Sequence, residues 1–257
     1  MVSAAPITNL SGNMIYLLID NSNTRTKFRL AQKDLLLDWQ EWLPTSEITL
    51  ESVRTLTRDI SFDAVLLCSV VPEKAAILRD CFAANLPFHQ VSHTSRMPLG
   101  IDYPMPQQIG ADRLANAVGV VRLYPVPAIV IDFGTAVTFD VISSAPAYCG
   151  GVIAPGLGAM NEYLHRKTAL LPLIELAEPA QAIGKSTHEA MLAGAVYGYR
   201  GLVKEILAEL TREIGEPATI IATGGDAALI AQGVSQILHV DPTITMEGLR
   251  YLAVENL

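Results

Sequence analysis

Two distant stretches of the chain carry the same pattern of apolar and polar positions. At 15–20 an apolar run, IYLLID, ends in an aspartate. Four polar residues follow (Asn21, Ser22, Asn23 and Thr24), then a second strand-like run, TKFRLA, at 26–31. Strand-forming residues on both sides of a polar turn predict a β-hairpin with a carboxylate at the end of its first strand. At 128–142, AIVIDFGTAVTFDVI repeats the arrangement, with Asp132 at the strand end and Phe133, Gly134 and Thr135 in the turn. Ile19, Asp20, Asn21, Ser22 and Asn23 align without a gap over Ile131, Asp132, Phe133, Gly134 and Thr135. Self-similarity at this separation predicts two related α/β halves. Against it stands the fact that any two hairpins share a few apolar residues.

Helical spacing follows in both halves. Leu114, Ala117, Val118 and Val121 predict a helix over 111–123. A longer helical pattern covers 187–210, with the glycines of 194–201 as the place for an interruption. A short strand at 218–222 leads through Thr223, Gly224 and Gly225 into a helix from about Asp226. The proline-containing stretch 124–127 is the natural boundary, giving an N-terminal domain at 14–124 and a C-terminal domain at 125–257. Residues 1–13 have neither a basic start nor a long apolar run, so they read as a flexible tail, with Met14 as an alternative start.

Composition narrows the class. Half of the 257 residues are apolar and 17% are charged, which excludes a disordered chain. The net charge of −8 comes without a basic stripe, so a nucleic-acid surface is not expected. Every apolar run breaks before the roughly 20 residues a membrane span needs, so the chain is expected to be cytoplasmic and off the membrane. Cys68, Cys81 and Cys149 include no CxxC spacing and are expected as buried free thiols.

The chemistry-bearing residues sit at the turns. Equivalent strand ends of a duplicated fold face each other, so Asp20 and Asp132 are expected to converge on a cation bound to phosphates. Asn23, Thr24 and Thr135 offer hydroxyls and amides to phosphate oxygens, and Gly134 permits close backbone approach. Asp and Asn are also simply common in turns. Asp112, in the run Gly110, Ala111, Asp112, Arg113, opens a helix. It fits either the helix dipole or a general base for a hydroxyl. Gly224 and Gly225 suit a nucleotide or an ordinary tight turn. Lys185, Ser186 and Thr187 end like a P-loop, but Pro179 takes the first glycine's place; His188 and Glu189 lack the second histidine of a zinc-protease motif.

Taken in order, these segments resemble the type III pantothenate kinase family of the acetate and sugar kinase, heat-shock-70 and actin superfamily. The resemblance rests on Asp20 to Thr24 (the family's DxGNT), IDYPMPQQIGADR at 101–113, DFGTAVT at 132–138, GGVIAPGL at 150–157, TALLPLIE at 168–175, IGKSTHEAMLAGAVYG at 183–198, the glycines after Ala222, and VDPTITMEGL at 240–249. It implies a duplicated actin-like (ribonuclease H-like) α/β fold, two domains around a nucleotide cleft. It further implies ATP-dependent phosphorylation of pantothenate to 4′-phosphopantothenate, the first step of coenzyme A synthesis. By position, Asp112 becomes the proton acceptor. ATP falls to Asp20, Asn21, Ser22, Asn23, Thr24, Arg25, Thr26, Lys27 and Thr135. Pantothenate falls to Tyr103, Gly110, Ala111, Asp112, Arg113 and Thr187. Asp132 is implied to bind a monovalent cation, potassium or ammonium, while Mg2+ accompanies ATP. Family members are homodimers whose substrate site is completed by the partner subunit. One departure stands out: Ser22 replaces the glycine of DxGNT. Impaired phosphate binding there would make the chain a catalytically weak relative acting as a regulator.

Overall fold

The computed structural model describes residues 14–257; the expected tail at 1–13 lies outside the described residues. Along the chain run β1 (Tyr16–Asn21), β2 (Arg25–Ala31), β3 (Leu36–Pro44), α1 (Leu50–Thr57), β4 (Ala64–Ser69), α2 (Pro72–Phe82), β5 (Phe88–Gln90), β6 (Gly100–Ile101) and α3 (Ala111–Leu123). There follow β7 (Ala128–Phe133), β8 (Ala136–Ile142), β9 (Ala147–Pro155), α4 (Leu157–Lys167), α5 (Thr187–Ile214), β10 (Thr219–Gly224), α6 (Ala227–Ala231), β11 (His239–Val240) and α7 (Ile244–Asn256). No helix among the described residues is long and apolar enough to cross a membrane.

The chain divides into two compact units, one of residues 14–99, 104–123 and 244–257, the other of 100–103 and 124–243. These differ from the contiguous stretches 14–124 and 125–257 that the proline signal suggests. Residues 100–103 join the second unit, and the C-terminal helix joins the first. The physical reason for the latter is a close helix crossing. A Cβ added at Gly119 would lie 2.5 Å from the Ile244 carbonyl oxygen, and one at Gly248 would collide with the Ala115 carbonyl. Glycine at both positions lets α7 lie directly on α3.

In the first unit the sheet order is β3-β2-β1-β4-β5. β1 is antiparallel to β2 and parallel to β4, and all six of its residues are buried. That explains its unbroken apolar reading: a central strand covered on both faces has no solvent side to alternate toward. Ile15, Leu17, Ile19, Phe28, Val65 and Leu67 pack with Val53 of α1 and with Leu78 and Phe82 of α2. Each such fully buried side chain contributes about 1.5–3 kcal/mol relative to exposure. Helices α3 and α7 also pack against β4.

The second unit repeats the topology. Its sheet order is β11-β10-β7-β8-β9-β6. β7 is antiparallel to β8 and parallel to β10, β8 is antiparallel to β9, and β10 is parallel to β11. Leaving aside β6, order and direction are those of the first sheet, which makes the fold a duplicated α/β fold. Ile129, Ile131, Phe133 and Phe139 form the core with Tyr199, Val203 and Leu207 of α5. α5 runs uninterrupted for 28 residues, through Gly194, Gly198 and Gly201. Each glycine costs about 1 kcal/mol against alanine, and the buried face that includes Val196, Tyr199, Val203 and Leu207 outweighs that cost. The helix stops where Gly215 adopts a left-handed φ of 74°.

Candidate active site

In the first unit, Asp20 is held at the end of β1 opposite Lys27 of β2 and Cys68 of β4. Its side chain is 5% exposed. A carboxylate this buried needs partners, and it has two: the Ser22 hydroxyl donates to Oδ1 at 3.0 Å, and Lys27 Nζ lies 3.5 Å from Oδ2. The turn closes through Ser22 N–H donating to the Arg25 carbonyl at 3.1 Å. Asn23, Thr24, Arg25 and Lys27 are exposed, and Arg25 lies over the Trp42 ring at 4.7 Å. Asn21 and Thr26 are buried, and Asn21 Nδ2 donates to Thr26 Oγ1 at 2.8 Å. These two side chains support the turn from beneath. No non-glycine residue among those described has a positive φ. Ser22 therefore sits in backbone that serine adopts without strain.

Asp112 lies in the first turn of α3, where the helix dipole favours negative charge. Its Oδ1 accepts the Arg113 N–H at 2.8 Å. A Cβ on Gly110 would stand only 2.5 Å from that oxygen, so glycine makes room for the carboxylate. Ala111 is buried, while Asp112 and Arg113 are half-buried. Cys68 links the two acids. Burial first, then the Asp20 and Asp112 carboxylates, push its thiol well above the ordinary range. It stays a neutral thiol beside both. Of the three thiols expected to be buried, only Cys68 is; Cys81 is half-buried and Cys149 is exposed on β9.

In the second unit, Asp132 is half-buried at the end of β7, opposite Thr138 of β8 and Thr223 of β10. Directly opposed residues share a face, so carboxylate and hydroxyl oxygens line one side of the sheet. An all-oxygen set is the donor chemistry of hard cations. Two other backbone segments close on the turn after Asp132. Gly156 N–H donates to the Thr135 carbonyl at 3.1 Å, and Gly225 N–H to the Phe133 carbonyl at 3.0 Å. A Cβ on Gly156 would collide with the Gly134 and Thr135 carbonyls. Gly224, with φ of 92°, would meet the Phe133 carbonyl. Gly156 also caps α4 without a side-chain bond, leaving the helix's first amides to other acceptors.

Tyr103 packs edge-on against Tyr148, ring centroids 6.1 Å apart, beside Gly150. Tyr148 in turn donates to the buried Asp140 at 3.0 Å. Thr187 stands exposed on the first turn of α5. The neighbouring P-loop-like residues serve the helix end: Ser186 Oγ accepts the Glu189 N–H, and Glu189 Oε2 accepts the Lys185 N–H. The sequence reading gave no site role to Cys68, Asp140, Tyr148 or Asp226. The last is half-buried at the start of α6, and burial raises its carboxyl above the ordinary 3.8. Of these, only Asp226, in a strand–Gly-Gly–Asp–helix run, left a local signal.

The class follows from the duplicated sheets: this is the actin-like α/β fold of ATPases and sugar kinases. Two solved structures share it. One is a Campylobacter jejuni protein described as a Baf family transcriptional activator, 20% identical, TM-score 0.62, covering 93% of this chain and 98% of that one. The other is the activator of 2-hydroxyisocaproyl-CoA dehydratase from Clostridium difficile with bound ADPNP, 12% identical, TM-score 0.50, covering 95% and 94%. At such identities the likeness speaks for the fold alone. The sequence itself goes further. The profile of the type III pantothenate kinases matches residues 16–209. The type III pantothenate kinase of Akkermansia muciniphila is 57% identical over 244 residues, 95% of this chain and 100% of that protein. This chain belongs to the type III pantothenate kinase family.

Proposed function

We propose that this chain transfers the γ-phosphoryl group of ATP to the hydroxyl of pantothenate, giving 4′-phosphopantothenate and ADP at the entry to coenzyme A synthesis. The observation that carries the reading is the family match across residues 16–209. That the Asp20 and Asp112 carboxylates, in one unit, both act on the Cys68 thiol supports it. In the reaction the pantothenate oxygen forms a bond to the γ-phosphorus, and the bond to the β,γ-bridging oxygen breaks. Asp112 takes the hydroxyl proton. Such transfers depend mainly on positioning and charge stabilisation. Asp20, the turn from Ser22 to Thr24, Lys27 and Thr135 hold the nucleotide's phosphates, with Asn21 and Thr26 fixing that turn. Tyr103, Gly110, Ala111 and Arg113 receive pantothenate.

Two cations belong to this reading. Asp132, with the hydroxyls of Thr138 and Thr223 on its face, suits a monovalent cation such as potassium or ammonium. Mg2+ bound with ATP neutralises charge on the phosphates. The reading includes a homodimer in the cytoplasm, with Thr187 completing the partner's substrate site. The apolar surface around α4 and the start of α5 supports it: Leu170 is 91% exposed, Ile183 73% and Tyr163 59%. Tyr163 lies on α4 and the other two in the segment that follows it, and large apolar side chains left this exposed suit an association surface. A coupled ATP assay with pantothenate and a panel of sugars, with Mg2+ and K+ supplied, tests the whole. Turnover with pantothenate alone is expected. A sugar as the preferred acceptor would reject the substrate assignment.

A further inference from the structure

A buried line of hydrogen bonds runs under the turn at 22–25. Ser69, at the end of β4, donates its hydroxyl to Asn21 Oδ1 at 2.6 Å. Asn21 Nδ2 donates to Thr26 Oγ1 at 2.8 Å, and Thr26 Oγ1 lies 3.0 Å from Thr45 Oγ1. Thr45 Oγ1 donates to the Ser22 carbonyl at 2.6 Å. The directions are determined. A carbonyl only accepts, and each hydroxyl has one proton to give. Thr45 spends its proton on Ser22, so it accepts from Thr26, which accepts from Asn21. The line is therefore polarised one way, from Ser69 to Ser22. Asn21, Thr26 and Thr45 are at most 3% exposed. Buried networks in which the members satisfy one another rigidify what they touch.

Thr45 grips the turn twice. Besides its hydroxyl on the Ser22 carbonyl, its N–H donates to the Thr24 carbonyl at 3.0 Å. A trans peptide is planar, with C=O and N–H on opposite sides. Drawing the Ser22 carbonyl toward the buried Thr45 turns the Asn23 N–H away from it, on the exposed side of the turn. We infer that Thr45 is a positioning residue for ATP, presetting the peptide between Ser22 and Asn23 so that the Asn23 N–H meets a phosphate oxygen without reorganisation. This rests on the reading of that turn as the phosphate site.

The test compares Thr45→Val, which removes the hydroxyl at nearly constant shape, with Thr45→Ser, which keeps it. The readouts are calorimetric affinity for a non-hydrolysable ATP analogue, KM for ATP and for pantothenate, and thermal midpoint. The valine variant is expected to weaken the analogue and raise the ATP KM by about tenfold, with the pantothenate KM changed less than about twofold. Serine is expected to restore both nucleotide values. A valine variant with a lowered midpoint but unchanged analogue affinity would show a purely structural role and overturn the inference. Should it fail to fold, Thr26→Val cuts the line one link earlier. It is expected to weaken the analogue about threefold, and unchanged affinity there overturns the inference too. Calorimetry reads nucleotide, not alcohol. A wild type that binds the analogue without phosphorylating pantothenate sinks the substrate reading and leaves Thr45 to be judged by affinity. A wild type that binds no analogue ends both.

Discussion

The Ser22 hydroxyl donates to Asp20 Oδ1 at 3.0 Å, so the residue that departs from the family's glycine turns its side chain back onto the strand-end carboxylate. With no positive φ to satisfy, serine meets no backbone penalty there. Ser22→Gly is therefore expected to change kcat/KM less than about tenfold, under roughly 1.4 kcal/mol. Steady-state kinetics with Mg2+ and K+ supplied decide it. An undetectable wild-type rate rescued by glycine would favour a regulator over an enzyme.

Asp112 and the Arg113 N–H are 2.8 Å apart at the start of α3, a geometry that serves a helix dipole and a catalytic base equally well. Kinetics separate the two. As base, Asp112→Asn lowers kcat by about 100-fold or more with the fold intact. As a dipole residue alone, it costs only about 0.3–1 kcal/mol of stability and spares turnover. Near-normal turnover would remove Asp112 from the mechanism.

In the proposed dimer Thr187, exposed on α5, would complete the neighbouring subunit's site. Mixing Asp112→Asn subunits with Thr187→Ala subunits is expected to restore activity above either alone, because one composite site per mixed dimer keeps both residues. A fully active monomer in solution would rule this arrangement out.

Asp226 gives a pH signature. Burial raises its folded pKa above the ordinary 3.8, so the folded state holds that proton more tightly than the unfolded one. The stability this lends is present below the unfolded value and is lost as pH rises through the folded value. At neutral pH the ionised group is a cost. Asp226→Asn is expected to raise the thermal midpoint at pH 7 and to lose that advantage near pH 3. An equal shift at both pH values would refute the burial account.

Local patterning determined a good deal. Strand-forming runs around polar turns specified both hairpins and put Asp20 and Asp132 at equivalent strand ends. The spacing over 111–123 specified α3, with Asp112 in its first turn. These are legible because hairpin and helix signals reside in neighbouring residues. Tertiary structure alone decided the rest. Thr45 and Ser69 come under the turn at 22–25 from two other segments of the same unit, and Cys68 meets Asp20 through the parallel pairing of β4 with β1 and Asp112 through the packing of α3 on β4. The C-terminal helix joins the first unit because Gly119 and Gly248 let two backbones touch across 129 residues of chain. α5 continues through its glycines because its buried face outweighs their cost. Each of these outcomes depends on contacts between residues far apart in the chain, and no local propensity encodes them.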